Sequence, residues 1–366
     1  MSTRLNIAHI IVRLDLGGAE RSLLRVVEGT GREIDHHVFC LGYPTRIGAA
    51  LSAAGASVTY YDYRNPSALW ALRRDVRQLA PDAVQGWMYY GNVIASLFFA
   101  SLAPTAWNIR HALGDAREKW TIRLALQLGR LVKRHLVIFN SERARQSHAS
   151  LGYTEPMSQV IVNGIDTHHF KPDKVVRRDV RAAYQLTSQV KWLGLVGRYH
   201  PHKGVSAFLD ALGRLLVVHP GWRGALIGRN MISTNTDLQS QIAQSGLDPA
   251  QIDLLGEVSD PAQWLPALDC VVVSSVVESF PNVAIEAMAC GVPVVGTDVG
   301  DLRAIVGDDS RVVPVGDSAA LAGAIEQHVL GAVPSLLDRK RVETRYEISQ
   351  CAKAYVSVYQ RLVSSP

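Results

Sequence analysis

Strand-length apolar runs alternate with helix-period segments along nearly the whole chain, and this alternation restricts the fold more than any other feature. "NIAHIIV" precedes a helical pattern over Ala19–Gly29, "HHVFCLG" one near Ile47–Ala54, and "DAVQGW" one over Asn92–Ala103. Short apolar runs separated by helices bury both faces on a parallel sheet, so this series reads as successive βαβ units. A second series opens at Lys191 with "WLGLVG", then Val205–Val218, "GALIG", Asp237–Gln244, "IDLLG", Pro261–Leu268, "CVVVSS", Ser279–Cys290 and "PVVGT". Between the two, "GIDTHHFKPDKVVRRDVRAAYQL" turns charged and loses strand character. The expected architecture is therefore α/β, with an N-terminal domain over 1–172 and a C-terminal domain over 173–349. A last helix, about 350–366, is expected to return to the first domain. At 366 residues the chain exceeds what one core usually serves, which agrees with two domains.

Ligands of open parallel sheets bind beyond the carboxyl ends of the strands, so the loops there are the places to look for chemistry. "SSVVESFPNVAIEAMACGVPVVGTD", Ser274–Asp298, follows one such strand. Ser279 is placed to cap the next helix, with Pro281 in its first turn and Gly291 and Pro293 ending it. The start of that helix would offer backbone N–H groups and a partial positive charge to a phosphate. Glu278 stands at its mouth. Glu286, about two turns further on, would face either a ligand ribose or solvent; a capped helix with one dipole-stabilising acid and one surface glutamate is the plainer alternative.

"LVGRYHPHKG" puts Arg198 and Lys203 in the loop after the first strand of the second domain. Two cations there would clamp a diphosphate, the Arg through its planar fork and the Lys as a point charge; the alternative is two surface cations. His200 and His202 lack a carboxylate or thiolate partner at metal-ligand spacing and read as loop histidines. In the first domain, Gly17 and Gly18 lie between strand and helix, where they allow either close ligand approach or a tight turn. His111 follows the apolar "PTAWNI", as an ordinary histidine or as one facing substrate. No G-x-G-x-x-G occurs, which disfavours a Rossmann dehydrogenase. No Asp-x-Asp occurs either, so a diphosphate would have to be met by protein cations, with no metal expected.

Together these motifs resemble a family-4 glycosyltransferase of the GT-B fold, two Rossmann-like doubly wound domains facing a central cleft. The resemblance rests on "LGGAE", "NSE", "VNGIDTHHF", "VGRYHPHKG", "LLGEV" and "ESFPNVAIEAMACGVPVV". It implies that Arg198 and Lys203 bind the donor diphosphate and that Glu286 holds the nucleotide ribose. It likewise implies that Glu278 and the turn Ser279, Phe280, Pro281 and Asn282 surround the donor sugar and phosphate. Gly18 would approach the donor phosphate, His111 would lie near the reacting sugar, and Gly17 together with Gly256, Glu257 and Val258 of "LLGEV" would join the binding site. The implied reaction transfers a sugar from a nucleotide-diphosphate donor with retention at the anomeric carbon and without a catalytic metal. The rival readings are a nucleotide-sugar epimerase of the same architecture and a non-catalytic nucleotide-sugar sensor. Retention of both cations and both glutamates argues against the sensor.

The sequence says less about the acceptor. Trp107–His148 holds nine Lys/Arg against three acids, a local excess of +6 within a net charge of +5. That concentration points to a local acidic partner and not to nucleic acid. Trp120, Ile122, Leu124, Leu126, Leu128 and Leu131 alternate there with Arg117, Lys119, Arg123, Arg130 and Lys133. This suits a helix lying on an anionic membrane or, equally, a helix packed on the sheet with a solvated basic face. With the resemblance it suggests a lipid-linked acceptor in surface-polysaccharide assembly. No secretory signal or membrane-spanning run is seen, and the four cysteines show no C-x-x-C spacing. A cytoplasmic protein with buried thiols, peripheral on the membrane at most, is therefore expected.

Overall fold

In the computed structural model, which describes residues 4–15, 17–113, 136–149, 158–331 and 335–364, the chain forms two compact units. One comprises residues 1–164 and 348–366, the other 165–347. Seven parallel strands make the sheet of the first: β1 (Leu5–Ile11), β2 (Ile34–Cys40), β3 (Ser57–Tyr60), β4 (Ala83–Trp87), β5 (Thr105–Ile109), β6 (Leu136–Phe139) and β7 (Ser158–Val160), in the order β3-β2-β1-β4-β5-β6-β7. The central strands β4, β5 and β6 are buried along their whole length, as both-face burial requires, whereas β3 at the edge alternates exposed and half-buried residues. Helix Ala68–Leu79 shows the matching helical period, burying Ala68, Leu72 and Val76 on one stripe.

The helix expected over Asn92–Ala103 spans Met88–Phe99 instead. It starts directly from β4 because Gly86 and Gly91 let the elements touch; a Cβ at Gly91 would lie 2.5 Å from the Ile10 carbonyl oxygen. Met88 turns that corner with φ of 59°, a left-handed conformation that costs a non-glycine residue about 1 kcal/mol or more.

The second unit holds six parallel strands, β8 (Trp192–Val196), β9 (Arg223–Ile227), β10 (Ile252–Gly256), β11 (Cys270–Val273), β12 (Val294–Thr297) and β13 (Val312–Val313), in the order β10-β9-β8-β11-β12-β13. Where a helix is expected over Pro261–Leu268 there are two short 3-10 turns, Pro261–Gln263 and Leu265–Ala267, each with proline in its first turn. The break between units falls after Gly164, not after residue 172. Ile165 bridges to Glu347, the Thr167 N–H donates to Glu347 Oε2 at 3.2 Å, and Arg339 donates to the Thr167 and Phe170 carbonyls at 3.1 Å each. These bonds fasten 165–172 to the second unit. The charged stretch after them is helix Lys174–Ala183, capped by Asp173, whose Arg177 and Arg181 both reach Asp269 at 2.7 and 2.9 Å. Helix Ile348–Ser364 returns to the first unit, where it buries Tyr355 and Tyr359.

Candidate active site

From β8 the chain crosses over to β9 on one side of the second sheet, and from β11 to β12 on the other. Neighbouring strands whose connections diverge leave a crevice at their carboxyl ends. Two loops rise there, one over residues 197–204 and one over 274–281. Gly204, at φ of 63°, allows them to meet, since a Cβ at this position would lie 1.9 Å from the Ser274 carbonyl oxygen. The Val276 N–H donates to the His202 carbonyl at 2.8 Å, and Ser274 Oγ donates to the Lys203 carbonyl at 3.1 Å. So fixed, Lys203 Nζ lies 2.5 Å from Glu278 Oε1, and Ser275 Oγ donates to the same oxygen at 3.0 Å. Val196, Lys203, Ser274, Ser275, Glu278 and Val283 line a small pocket over the ends of β8 and β11.

Arg198 belongs to the same loop. Its side chain is exposed and has no hydrogen-bond or ion-pair partner among the described residues. Its backbone is held by close packing, since a Cβ on Gly228, whose φ is 142°, would come within 2.0 Å of the Gly197 carbonyl oxygen. The structure therefore joins Lys203 to Glu278 and leaves the Arg198 guanidinium open to an incoming anion. His200 accepts the His202 N–H on Nδ1 at 3.2 Å, a turn-forming bond. Among the described residues there is no group of three or more His, Cys, Asp or Glu able to hold a metal ion.

The helix after Glu278 differs from expectation at its start. It spans Asn282–Ala289 with Pro281 in the capping position, so the cap supplies no side-chain acceptor. Ser279 precedes it, buried, its carbonyl accepting the Asp301 N–H at 3.1 Å, and Phe280 lies edge-on to Tyr346 at 5.8 Å. A helix capped by Ser279 would need helical backbone at Phe280, the residue before a proline, and the Pro281 ring disfavours that conformation. Glu286 is only 6% exposed, in a helix that also buries Ala284, Ile285, Ala287 and Met288. It is therefore not a surface glutamate. A polar side chain buried in this way requires hydrogen-bond partners.

Gly256, at φ of 67°, closes β10 and exchanges backbone hydrogen bonds with Gly228 at 2.7 Å and Met231 at 3.0 Å. Exposed Glu257 and half-buried Val258 follow it. β10 is an edge strand, two places from β8, and among the described residues no hydrogen bond or ion pair joins these three residues to Lys203 or Glu278.

In the first unit, Gly17 caps helix Gly18–Thr30. A Cβ on Gly17 would collide with Glu20 Oε2 at 2.3 Å, whereas one on Gly18 would meet nothing within 4 Å. Burial, reinforced more weakly by Asp15, raises the Glu20 carboxyl above its usual range. His111 is half-buried past the end of β5. Its neighbour His148 is fully buried, donates Nδ1–H to the Ala144 carbonyl at 2.8 Å and accepts the Tyr89 hydroxyl on Nε2 at 2.6 Å. Burial pushes His148 down to about 4, with a smaller contribution from the His111 charge.

Two residues escaped the sequence reading. Ser275, in the run "CVVVSS", orients Glu278. Arg110 is one of the nine cations counted as a basic surface, yet it is buried. Its guanidinium lies 5.6 Å from the Trp87 ring centre and donates to Tyr355 OH at 2.8 Å and to Asn163 Oδ1. It serves the docking of the last helix and does not face an outside partner. Arg145 pairs with Glu142 at 2.5 Å and Arg143 is exposed. Arg117, Lys119, Arg123, Arg130, Lys133 and Arg134 lie outside the described residues. Among the described residues no helix is long and apolar enough to cross a membrane. All four cysteines are buried and free, and burial pushes the Cys40, Cys270 and Cys290 thiols up to about 12.

Residues 16–169 match the model "Glycosyltransferase Family 4", and residues 190–329 match "Glycosyl transferases group 1". The chain is 30% identical over 230 residues to the lipopolysaccharide core biosynthesis mannosyltransferase LpsB of Rhizobium meliloti, covering 59% of this chain and 64% of that one. It is also 30% identical over 248 residues to the D-inositol 3-phosphate glycosyltransferase of Mycolicibacterium vanbaalenii, covering 62% and 53%. The match thus spans between about half and two thirds of these relatives' lengths. Among solved structures, Anabaena Alr3699/HepE in complex with UDP-glucose superposes with a TM-score of 0.86 at 20% identity, over 99% of this chain and 100% of that one. With a Family 4 match over the first sheet, a group 1 match over the second and this superposition along their length, the chain belongs to the family-4, group 1 glycosyltransferases of the GT-B fold.

Proposed function

We propose that the protein transfers a sugar from a nucleotide-diphosphate donor to a glycan or lipid-linked acceptor in surface-polysaccharide assembly, with retention at the anomeric carbon. The observation that carries this reading is the meeting of Lys203 and Glu278 over the divergent strands β8 and β11, with exposed Arg198 in the same loop as Lys203. The bond from the anomeric carbon to the diphosphate breaks while the acceptor oxygen bonds to that carbon on the same face. The acceptor proton passes to the departing phosphate oxygen. Negative charge grows on the diphosphate, where Arg198 and Lys203 would stabilise it. Glu278 orients sugar hydroxyls and does not attack. A lipopolysaccharide mannosyltransferase among the relatives supports a surface-glycan acceptor.

Mass spectrometry of products formed from a panel of nucleotide sugars with a lipid extract tests the proposal, and the anomeric coupling constant of the product reads retention or inversion. Release of an altered free sugar with donor alone would point to an epimerase. Activity is expected to survive excess EDTA, because the sequence lacks an Asp-x-Asp pair and offers two cations to the diphosphate. Loss of turnover that Mg²⁺ restores would refute that expectation.

Glu286→Gln is expected to raise KM for the donor by about tenfold with a smaller change in kcat. A ribose hydrogen bond exists equally in ground and transition states and therefore acts on binding. A fall in kcat at unchanged KM would move Glu286 from the ribose to the reacting sugar.

A further inference from the structure

The pair at the centre of the site satisfies itself before any donor arrives. Lys203 and Glu278 keep only 26% and 17% of their side-chain surface exposed, and their charged atoms are 2.5 Å apart. Glu278 Oε1 also accepts Ser275 Oγ at 3.0 Å, and the Ser275 carbonyl is itself held by Thr297 Oγ1 at 2.5 Å. The carboxylate is thus aimed at the lysine from a braced strand end. A diphosphate placed on Lys203 would meet that carboxylate at close range, and two anions on one ammonium repel.

We propose that Glu278, positioned by Ser275, is an internal counter-anion that occupies Lys203 until a nucleoside diphosphate displaces it. This inference rests on the donor-site reading above and adds an exchange to it. The arriving diphosphate takes the lysine, and the freed carboxylate becomes available to accept hydrogen bonds from the sugar. No covalent bond changes in this step. A ligand without two phosphates, such as a free sugar or a sugar monophosphate, competes poorly for Lys203 and leaves Glu278 where it is. Selection for diphosphate donors is therefore built into the ion pair, beyond the contacts made to the nucleoside. Ser275 is a positioning residue in this scheme, acting only through Glu278.

Calorimetric titration with UDP and with GDP tests the proposal in a double-mutant cycle. Glu278→Gln keeps the side-chain shape and should tighten diphosphate binding roughly fivefold, the scale of a part-exposed ion pair that no longer has to be broken. In the Lys203→Ala background the same change should move affinity less than twofold, because the pair is already gone. Ser275→Ala should tighten binding by a smaller factor in the Lys203 background only, and provides a second route should either substitution at the ion pair impair folding. Equal tightening in both backgrounds would mean plain repulsion through space and would overturn the exchange, as would no tightening in either. If Lys203→Ala weakens diphosphate binding while Glu278→Gln does not tighten it, the exchange alone fails and the donor site stands. If Lys203→Ala leaves diphosphate affinity unchanged, both fall together.

Discussion

Lys203→Ala and Arg198→Ala should each lower turnover by about 10²-fold or more, the usual result of removing one preorganised charge from a transition state. The two losses should differ in character. Arg198 is exposed and has no partner among the described residues, so its removal deletes a donor fork and disturbs nothing else. Removing Lys203 deletes the point charge under the diphosphate and also strips Glu278 of the cation, 2.5 Å away, that fixes its position. The lysine variant should therefore be the worse of the two in both KM and kcat, and Lys203→Arg should recover part of the loss. Steady-state kinetics with the donor identified by the product panel, alongside melting curves to show that each variant is folded, gives the measurement. Near-normal turnover in both would remove these residues from the diphosphate.

How far the site can be read from sequence follows from what each signal encodes. The apolar alternation places loops 197–204 and 274–281 at carboxyl ends, because strand direction is fixed by the βαβ rule. Adjacency is another matter. That β8 neighbours β11 depends on which way each crossover turns, and nothing in "WLGLVG" or "CVVVSS" records it. The Lys203 contact with Glu278 is a product of that choice, as is the role of Ser275, which on paper is one more serine after a strand. Glu286 fails for a local reason. A glutamate in a helix carries no mark of the face it occupies when its neighbours are as small and apolar as Ala284, Ala287 and Ala289, so burial and exposure look alike. Short edge strands such as β3 and β13 have too few residues to show a period. Arg110 misled for the opposite reason. Charge counting assumes that cations face water, and this one lies between Trp87 and Tyr355, which are far apart in sequence and are brought together only by the returning helix.

Acidification from about pH 6.5 to about pH 5 should destabilise the first unit by about 1.5 kcal/mol for each of its buried histidines His9, His36 and His148. The reason for the first two is a one-way chain of hydrogen bonds. The Trp87 indole can only donate, and it reaches His9 Nδ1 at 3.1 Å, which leaves the His9 proton on Nε2. His9 Nε2 then donates to His36 Nδ1 at 2.9 Å, and His36 Nε2 to Thr30 Oγ1 at 2.8 Å. The Thr30 hydroxyl ends the chain on the Val26 carbonyl at 2.6 Å. An extra proton on either buried ring would set donor against donor. Burial first, and then the neighbouring positive charges of His37 and Arg4, holds His36 down to about 3. His9 lies well below its ordinary value for the same leading reason, with His36 and His37 next. Their folded values lie below the unfolded one near 6.5, so the unfolded chain takes up protons that the folded chain refuses. Stability is therefore full above about 6.5 and declines as pH falls, over a range in which most carboxylates stay ionised. Pulsed hydrogen exchange of β1 and β2 peptides along a urea series at each pH reads this unit alone, and nitrogen NMR of the rings reads the tautomers. Stability that stays level across the window, or a proton found on Nδ1 of His9, would break the chain of donors at its first link.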